Sequence, residues 1–245
     1  MTAQEDAILG VASWLESPRG RYLLAWEQAR LDQAVADLFG FHAVQLGWPA
    51  LEGLRANRMP NRWLADESAG DLHCSFDALP FSNDSLDLLV LPHTLETAPD
   101  PHHRLAEAAR VLRPEGRLLL LGLNPASLWG LHPQQWRDNR ATGRERIGYR
   151  RLRDWLRLLS FDVTQAQFGC YRPPWSRAPW LEAWQFMDRH GPTWWPVFGA
   201  VYFIQAVKRV HGMRLVGLAR SGPGRRPAAA VALPSRSSRE GIRKS

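Results

Sequence analysis

One stretch, residues 77–124, constrains the fold more than any other part of the chain. It contains two apolar runs, Leu86–Leu91 and Arg117–Leu123, which are rich in Leu or Val and show no polar alternation. Runs of this kind suit parallel strands that are buried on both faces. Between them lies a predicted helix, which Asp100 can cap and Pro101 can begin. The stretch therefore predicts a strand, a helix and a strand, and such connections are right-handed in nearly all proteins.

Short motifs around these runs occur in a fixed order. They are an LPF triplet at 79–81, an acidic turn at 83–85 and the start of the first apolar run at 86–88. An HTLE segment follows at 93–96, then a PDP segment at 99–101 and the ARVLRPEGR end of the helix at 109–117. This series resembles the second half of a class I S-adenosylmethionine-dependent methyltransferase domain, related to the ubiquinone and menaquinone biosynthesis methyltransferases. The resemblance implies an α/β, Rossmann-like fold with a mostly parallel seven-stranded sheet and flanking helices.

The first strand is predicted at Phe41–Gly47, and the loop that follows departs from the family. In the resembled family this strand ends in an acidic residue followed by glycines spaced GxGxG, which let the backbone approach the cofactor. Here Gln45 stands at the acidic position, Gly47 is retained, and Pro49 and Leu51 replace the later glycines. Trp48 adds a bulky ring. The resemblance still implies that Gln45 and Gly47 contact S-adenosylmethionine. We expect the altered loop to weaken the affinity for this cofactor, and the triple variant Gln45→Asp, Trp48→Cys and Pro49→Gly to restore it.

The resemblance assigns further site residues to the ends of the next strands. Asp66, at the end of a predicted strand at 61–66, would hold the ribose hydroxyls together with Ser68, although an ordinary loop acid is the alternative. Ser75 and Phe76 end the third strand, at 71–76, where the family contacts adenine. No helix fits between these two strands, so either this region is shortened or the strand at 61–66 is misplaced.

The apolar run Leu86–Leu91 is the fourth predicted strand. Pro92 and His93 follow it, at the edge where open α/β sheets bind ligands. Pro92 is therefore a candidate cofactor contact. His93 is the candidate general base, because imidazole titrates near neutrality, and a packing role is its alternative. The spacing of His93, His102, His103 and Cys74 fits no metal-ligand pattern, so no metal is expected.

The rest of the chain suggests three regions. We expect N-terminal helices in residues 1–40 (4–16 and 21–39), separated by a break at residues 17–20. A methyltransferase-like domain is expected at 41–219, with strands at 161–169 and 200–207, a helix at 149–159, and insertions at 124–148 and 171–196. Residues 220–245 form a basic tail predicted to be disordered. The net charge is +7, and the tail, with seven Lys or Arg against one acid, carries +6 of it.

These features favour a methyltransferase that uses S-adenosylmethionine and acts on a small or lipid-like acceptor. Tryptophans between Trp129 and Trp195 could stack a planar acceptor, or could simply pack an irregular lobe. The alternative function is a catalytically degenerate protein that keeps the fold as a binding or scaffold module, which the altered glycine loop favours. Nucleic acid is not expected as a partner. No stretch is long enough for a membrane span, and neither an export signal nor a disulfide framework is seen, so we expect a cytoplasmic protein.

Overall fold

The computed structural model describes residues 16–67, 70–130, 146–174 and 178–209. Within them lie five helices and seven strands. The helices are α1 (Pro18–Val35), α2 (Pro101–Val111), α3 (Tyr149–Leu158), α4 (Ala178–Ala183) and α5 (Phe186–Trp194). The strands are β1 (His42–Leu46), β2 (Asn61–Asp66), β3 (Leu72–His73), β4 (Leu86–Pro92), β5 (Leu112–Leu123), β6 (Phe161–Gly169) and β7 (Val201–Lys208).

The strands form a single sheet in the order β3-β2-β1-β4-β5-β7-β6. Neighbouring strands from β3 to β5 are parallel, whereas β7 runs antiparallel to both β5 and β6. The parallel pairing of β4 with β5 confirms the strand–helix–strand prediction, and the antiparallel last strand confirms the predicted sheet. Since β6 is antiparallel to β7, its carboxyl end lies at the same edge as those of β4 and β5.

Helices cover both faces of the sheet. On one face, buried residues of α2 and α3 pack against β4 and β5, and Leu105 and Leu156 are fully buried there. On the other face, α1 contributes Leu23, Leu31 and Val35 to a second apolar cluster. The resulting three layers bury apolar side chains on both sides of the central strands, which explains why β4 is apolar apart from Asp87. None of the described helices combines the length and apolar character needed to cross a bilayer.

The sequence 17–20, predicted as a break between two helices, begins α1. Ser17 is the N-cap, and its side-chain oxygen accepts a hydrogen bond from Gly20 N at 3.1 Å. Pro18 occupies the first turn, where its missing N–H costs nothing. Helix α1 also ends at Val35, earlier than the Gly40 end predicted from sequence. The predicted helix at 4–16 lies almost wholly outside the described residues.

The region between β1 and β3 is reduced. Residues 47–60 connect β1 to β2 through turns with no regular helix, and residues 67–71 connect β2 to β3. Strand β2 occupies its predicted position and pairs parallel with β3, so the shortened-region alternative is the correct one. Strand β3 is limited to Leu72–His73, so the predicted strand at 71–76 is too long and Ser75 and Phe76 lie beyond its end. Just before β3, Asp71 Oδ2 accepts a hydrogen bond from Leu64 N at 2.9 Å.

The long connection from β6 to β7 contains helices that sequence analysis missed. Helices α4 and α5 lie within residues 171–196, and Pro192 is inside α5. The insertion predicted at 124–148 is described only at residues 124–130 and 146–148. The predicted basic tail lies outside the described residues, as does Ser68.

Candidate functional site

The loop after β1 is organised by the side chain of Gln45, which is 3% exposed. Its Nε2 atom donates to three carbonyl oxygens, those of Gly47 at 3.0 Å, Trp48 at 3.2 Å and Leu51 at 2.8 Å. Its Oε1 atom accepts a hydrogen bond from Gly53 N at 2.8 Å. An amide has two hydrogens to donate, and both are used within the loop. The structure therefore places Gln45 as the support of its own loop, while its predicted cofactor contact stays a prediction.

Gly47 and Trp48 both adopt the left-handed backbone region, with φ of 69° and 56°. A Cβ on Gly47 would lie 3.2 Å from the Phe76 ring and 3.3 Å from Thr94 Cγ2, so the space is tight, and its positive φ favours glycine. The turn directs the Trp48 indole onto the His93 ring, with ring centroids 5.0 Å apart. Trp48 thus fills part of the edge that the loop faces.

His93 lies in a buried group of charged side chains just after β4. Its Nε2 atom lies 2.7 Å from Glu27 Oε1, and its Nδ1 atom lies 3.5 Å from Glu96 Oε1. His93 is 5% exposed and Glu27 is fully buried. Glu96 also accepts a hydrogen bond from Leu123 N at the end of β5. These contacts join α1, β4 and β5 at a single point.

The two carboxylates determine the charge of the imidazole. Burial lowers the pKa of His93, but Glu27 and Glu96 outweigh it and raise that pKa to about 10. Burial raises the pKa of Glu27, and the charge of His93 opposes this rise. We therefore take His93 as an imidazolium at neutral pH. A protonated ring cannot accept a proton, so these contacts suit a held cation better than the predicted general base.

The other predicted site residues line the same edge or lie beside it. Phe76 is buried beneath Gly47, and the Arg104 guanidinium lies 5.3 Å from the centroid of its ring. Pro92 is buried and pairs with Leu121 in β5. Asp66 is half-buried at the end of β2, and Ser75 is exposed, with its Oγ atom accepting from Asp77 N at 3.4 Å. The structure brings Gly47, Phe76 and His93 together and leaves Ser75 at the periphery.

Glu27 is the central residue that sequence analysis missed. The buried face of α1 consists of Gly20 and a row of residues four apart; the row is Leu23, Glu27, Leu31 and Val35. An acid within an otherwise apolar row at helical spacing is the signal that could have identified it, because a buried charge needs a partner.

A second polar group and a cavity lie at the carboxyl end of β6. Tyr22 and Arg172 both donate hydrogen bonds to Asp188, the latter at 2.7 Å. The cavity, of about 560 Å³, is lined by Trp26 and Arg30 of α1, by residues 166–171 and by Asp188. Burial raises the pKa of the Cys170 thiol beside it, so this cysteine is not a reactive thiolate. The charge of Glu27 contributes to this rise in the pKa of Cys170, so the part of the cavity lining at Cys170 lies near the Glu27–His93 pair.

Comparison with known proteins bears on the family and the fold. A family model described as a methyltransferase domain matches residues 56–120. The chain is 30% identical over 211 residues to the uncharacterized protein YafS of Escherichia coli (strain K12), and the match covers 80% of each. The chain belongs to the class I methyltransferase family.

Two further similarities agree. Over 62 residues the chain is 37% identical to the demethylmenaquinone methyltransferase of Chlamydia pneumoniae, covering 25% of this chain and 27% of that protein. A Haloferax volcanii structure of a complex with the Trm112 methyltransferase activator matches with a TM-score of 0.55 at 21% identity, covering 76% of this chain and 90% of the other. At that identity the likeness shows the fold. The degraded glycine loop is a departure within a family whose fold is retained.

S-adenosylmethionine is the cofactor that this family uses, and the residues present fit it. Pro49 has no N–H and the Gln45 amide is occupied, so the usual loop contacts are reduced. The edge nevertheless contains buried polar atoms with no hydrogen-bond partner among the described residues, on Glu27, Trp48 and Thr94. Burying unpaired polar atoms is costly, so they indicate a place for a polar group. Across the described residues, no group of three or more His, Cys, Asp or Glu could hold a metal.

Proposed function

We propose that this protein is an S-adenosylmethionine-dependent methyltransferase whose acceptor is a small, largely apolar or lipid-like molecule. The observation that carries the proposal is the buried Glu27–His93–Glu96 group at the carboxyl edge of the sheet, with an open cavity beside it. Ligands of open α/β sheets bind at this edge. A buried charged group is costly to a fold and is more readily explained by a site than by stability.

The cavity supports an apolar acceptor. Phe168, Tyr171 and Pro192 contribute to its lining, and Arg30 offers a single cation near its rim. The adjoining segment exposes large apolar side chains to an unusual degree; they are Phe186, Trp194, Trp195, Val197 and Phe198, each 47% exposed or more. Aromatic surfaces of this kind suit a planar or lipid-like ligand. The related demethylmenaquinone methyltransferase is named for a quinone-type acceptor, which agrees with this class.

In this proposal the chain acts by positioning the acceptor against the cofactor. The cofactor, when bound, supplies an electrophilic methyl group, and the enzyme aligns the acceptor atom with it. Asp66 is positioned at the end of β2 to hold ribose hydroxyls, and Gly47, Phe76 and Pro92 form the floor beneath. For His93 we propose that it acts as a cation fixed between two carboxylates, which orients Glu27, in place of the general-base role predicted from sequence.

Calorimetric titration with S-adenosylmethionine and S-adenosylhomocysteine is the first test. Transfer of label from methyl-labelled cofactor into organic-soluble and water-soluble extracts is the second. We expect both ligands to bind, with label transferred mainly to the organic phase and Asp66→Asn weakening cofactor binding. Binding without transfer to either phase would contradict the enzymatic part of the proposal, and transfer confined to the aqueous phase would contradict the acceptor class.

A second candidate function is a non-catalytic binding module. The observation that favours it is the β1 loop, in which Pro49 cannot donate a hydrogen bond and residues 47–60 contain no regular helix. A titration that shows no binding of either ligand, in protein that remains folded, would favour this candidate over the enzyme.

A further inference from the structure

Three buried polar atoms beside His93 have no hydrogen-bond partner among the described residues. They are Glu27 Oε2, Thr94 Oγ1 and Trp48 Nε1, which we term the orphan atoms. Glu27 is fully buried and Thr94 is 4% exposed. A buried donor or acceptor left unpaired destabilises a fold by about 1–3 kcal/mol. Three such atoms on residues that contact or adjoin a single histidine therefore point to a binding site for a polar group.

The chemistry of the orphan atoms is selective. Glu27 presents one carboxylate oxygen, since Oε1 already contacts His93 at 2.7 Å. Trp48 presents an indole N–H, which can only donate. Thr94 presents a hydroxyl, which can do either. One anionic acceptor together with two donors and a nearby imidazolium match a group that carries both an ammonium and a carboxylate, which is an α-amino acid.

Apart from the Trp48 N–H, the β1 loop does not offer this chemistry. Gln45 stands where the family has a carboxylate, and its amide is occupied by loop atoms. Glu27 reaches the same edge of the sheet from α1. This helix packs on the face of the sheet whose apolar cluster also includes residues of the β1 loop. The carboxylate absent from the end of β1 is thus available from a different element.

We propose that Glu27 Oε2, Trp48 Nε1 and Thr94 Oγ1 bind the α-amino-acid end of S-adenosylmethionine. The Glu27 carboxylate takes the ammonium, and the indole N–H and the hydroxyl donate to the carboxylate. This inference rests on the proposed function and adds the residues that replace the lost loop contacts. Solvent does not reach the orphan atoms, and Trp48 is the partly exposed residue against His93. The Trp48 ring therefore moves aside when the cofactor enters.

The test compares two ligands that differ only at the amino-acid end. S-adenosylhomocysteine carries it, whereas 5′-methylthioadenosine keeps the adenosine and the sulfur but lacks it. Each is titrated into the wild type, Glu27→Gln, Trp48→Phe and Thr94→Val. We expect each substitution to weaken S-adenosylhomocysteine binding by about 5- to 100-fold and to leave 5′-methylthioadenosine binding unchanged. Glu52→Gln, at an exposed acid of the loop, is the matched control and should change neither.

The outcomes separate this inference from the proposed function. Trp48→Phe retains an aromatic ring, so it remains informative if Glu27→Gln does not fold. Equal weakening of both ligands would show a general effect on the site and overturn the assignment. Unchanged binding of S-adenosylhomocysteine in all three variants would overturn it as well. A wild type that binds neither ligand would overturn the proposed function, and this inference with it.

Discussion

Glu27 Oε1 and His93 Nε2 lie 2.7 Å apart in the protein interior, although the two residues are 66 positions apart in the chain. The contact fixes α1 to the carboxyl end of β4. Because both side chains are buried, each charge depends on the other for compensation. The pair therefore links the stability of the fold to the geometry of the candidate site.

His93→Gln should be strongly destabilising. The substitution leaves the buried Glu27 carboxylate without its cation, which costs about 3–5 kcal/mol when one partner of a buried pair is removed. The double variant Glu27→Gln/His93→Gln should recover part of the loss, since the fully buried Glu27 charge is removed as well. Denaturant unfolding measures both, and His73→Gln, at an exposed histidine, should have little effect. A double variant less stable than His93→Gln would contradict the ion-pair assignment.

The stability contributed by His93 should depend on pH with a defined sign. Its folded pKa of about 10 lies above the unfolded value of about 6.5. The contribution is therefore fully present below about pH 6.5 and is lost as the pH rises through about 10. The difference in unfolding free energy between the wild type and His93→Gln should shrink from pH about 7 to pH about 10. A difference that stays constant over this range would show that His93 is already neutral at pH about 7 in the folded protein.

Gln45→Glu should destabilise the protein and should not improve cofactor binding. A carboxylate cannot donate, so the carbonyl oxygens of Gly47, Trp48 and Leu51 would lose their shared donor. The expected cost is at least about 1–3 kcal/mol for the unpaired buried groups. This revises the expectation that an acid at this position restores tight binding. Urea unfolding and calorimetry are the measurements, with Gln165→Glu at an exposed site as the control.

Gly122→Ala should disturb the sheet near the site. An added Cβ would overlap the side chain of Tyr202, which is buried and donates to Ile147 O at 3.1 Å. Overpacking of this kind costs about 1–3 kcal/mol. Gly148→Ala is the control, because its Cβ would meet only Pro125, at 3.7 Å. Similar thermal midpoints for the two variants would show that Tyr202 has room to move.

Ala166→Phe should separate acceptor binding from cofactor binding. Ala166 is exposed on β6 and lines the cavity, so a larger side chain fills part of its volume. We expect methyl transfer to fall about 10-fold or more while S-adenosylhomocysteine binds as in the wild type. Thr164→Phe, on the same strand but outside the cavity lining, should retain transfer. Unchanged transfer in Ala166→Phe would place the acceptor elsewhere.

Local patterns in the sequence were sufficient for most of the fold. The apolar run that became β4 and the capped helix that became α2 were predictable, because burial on both faces and capping leave signatures within a few residues. The boundaries of β2 and β6 were also predicted. The errors have local causes: Ser17 and Pro18 begin a helix as readily as they break one, and helices α4 and α5 are short.

The candidate site depended on contacts that no local pattern encodes. The sequence by itself determined that the loop after β1 lacks its acid and its later glycines, and that His93 follows a buried strand. Only the tertiary structure decided that Gln45 is occupied within its loop, and that Glu27 meets His93 and raises its pKa. A charge state is set by every group within a few ångströms, and here those groups come from α1 and from the segment after β4. Chain folding, rather than any motif, brings them together.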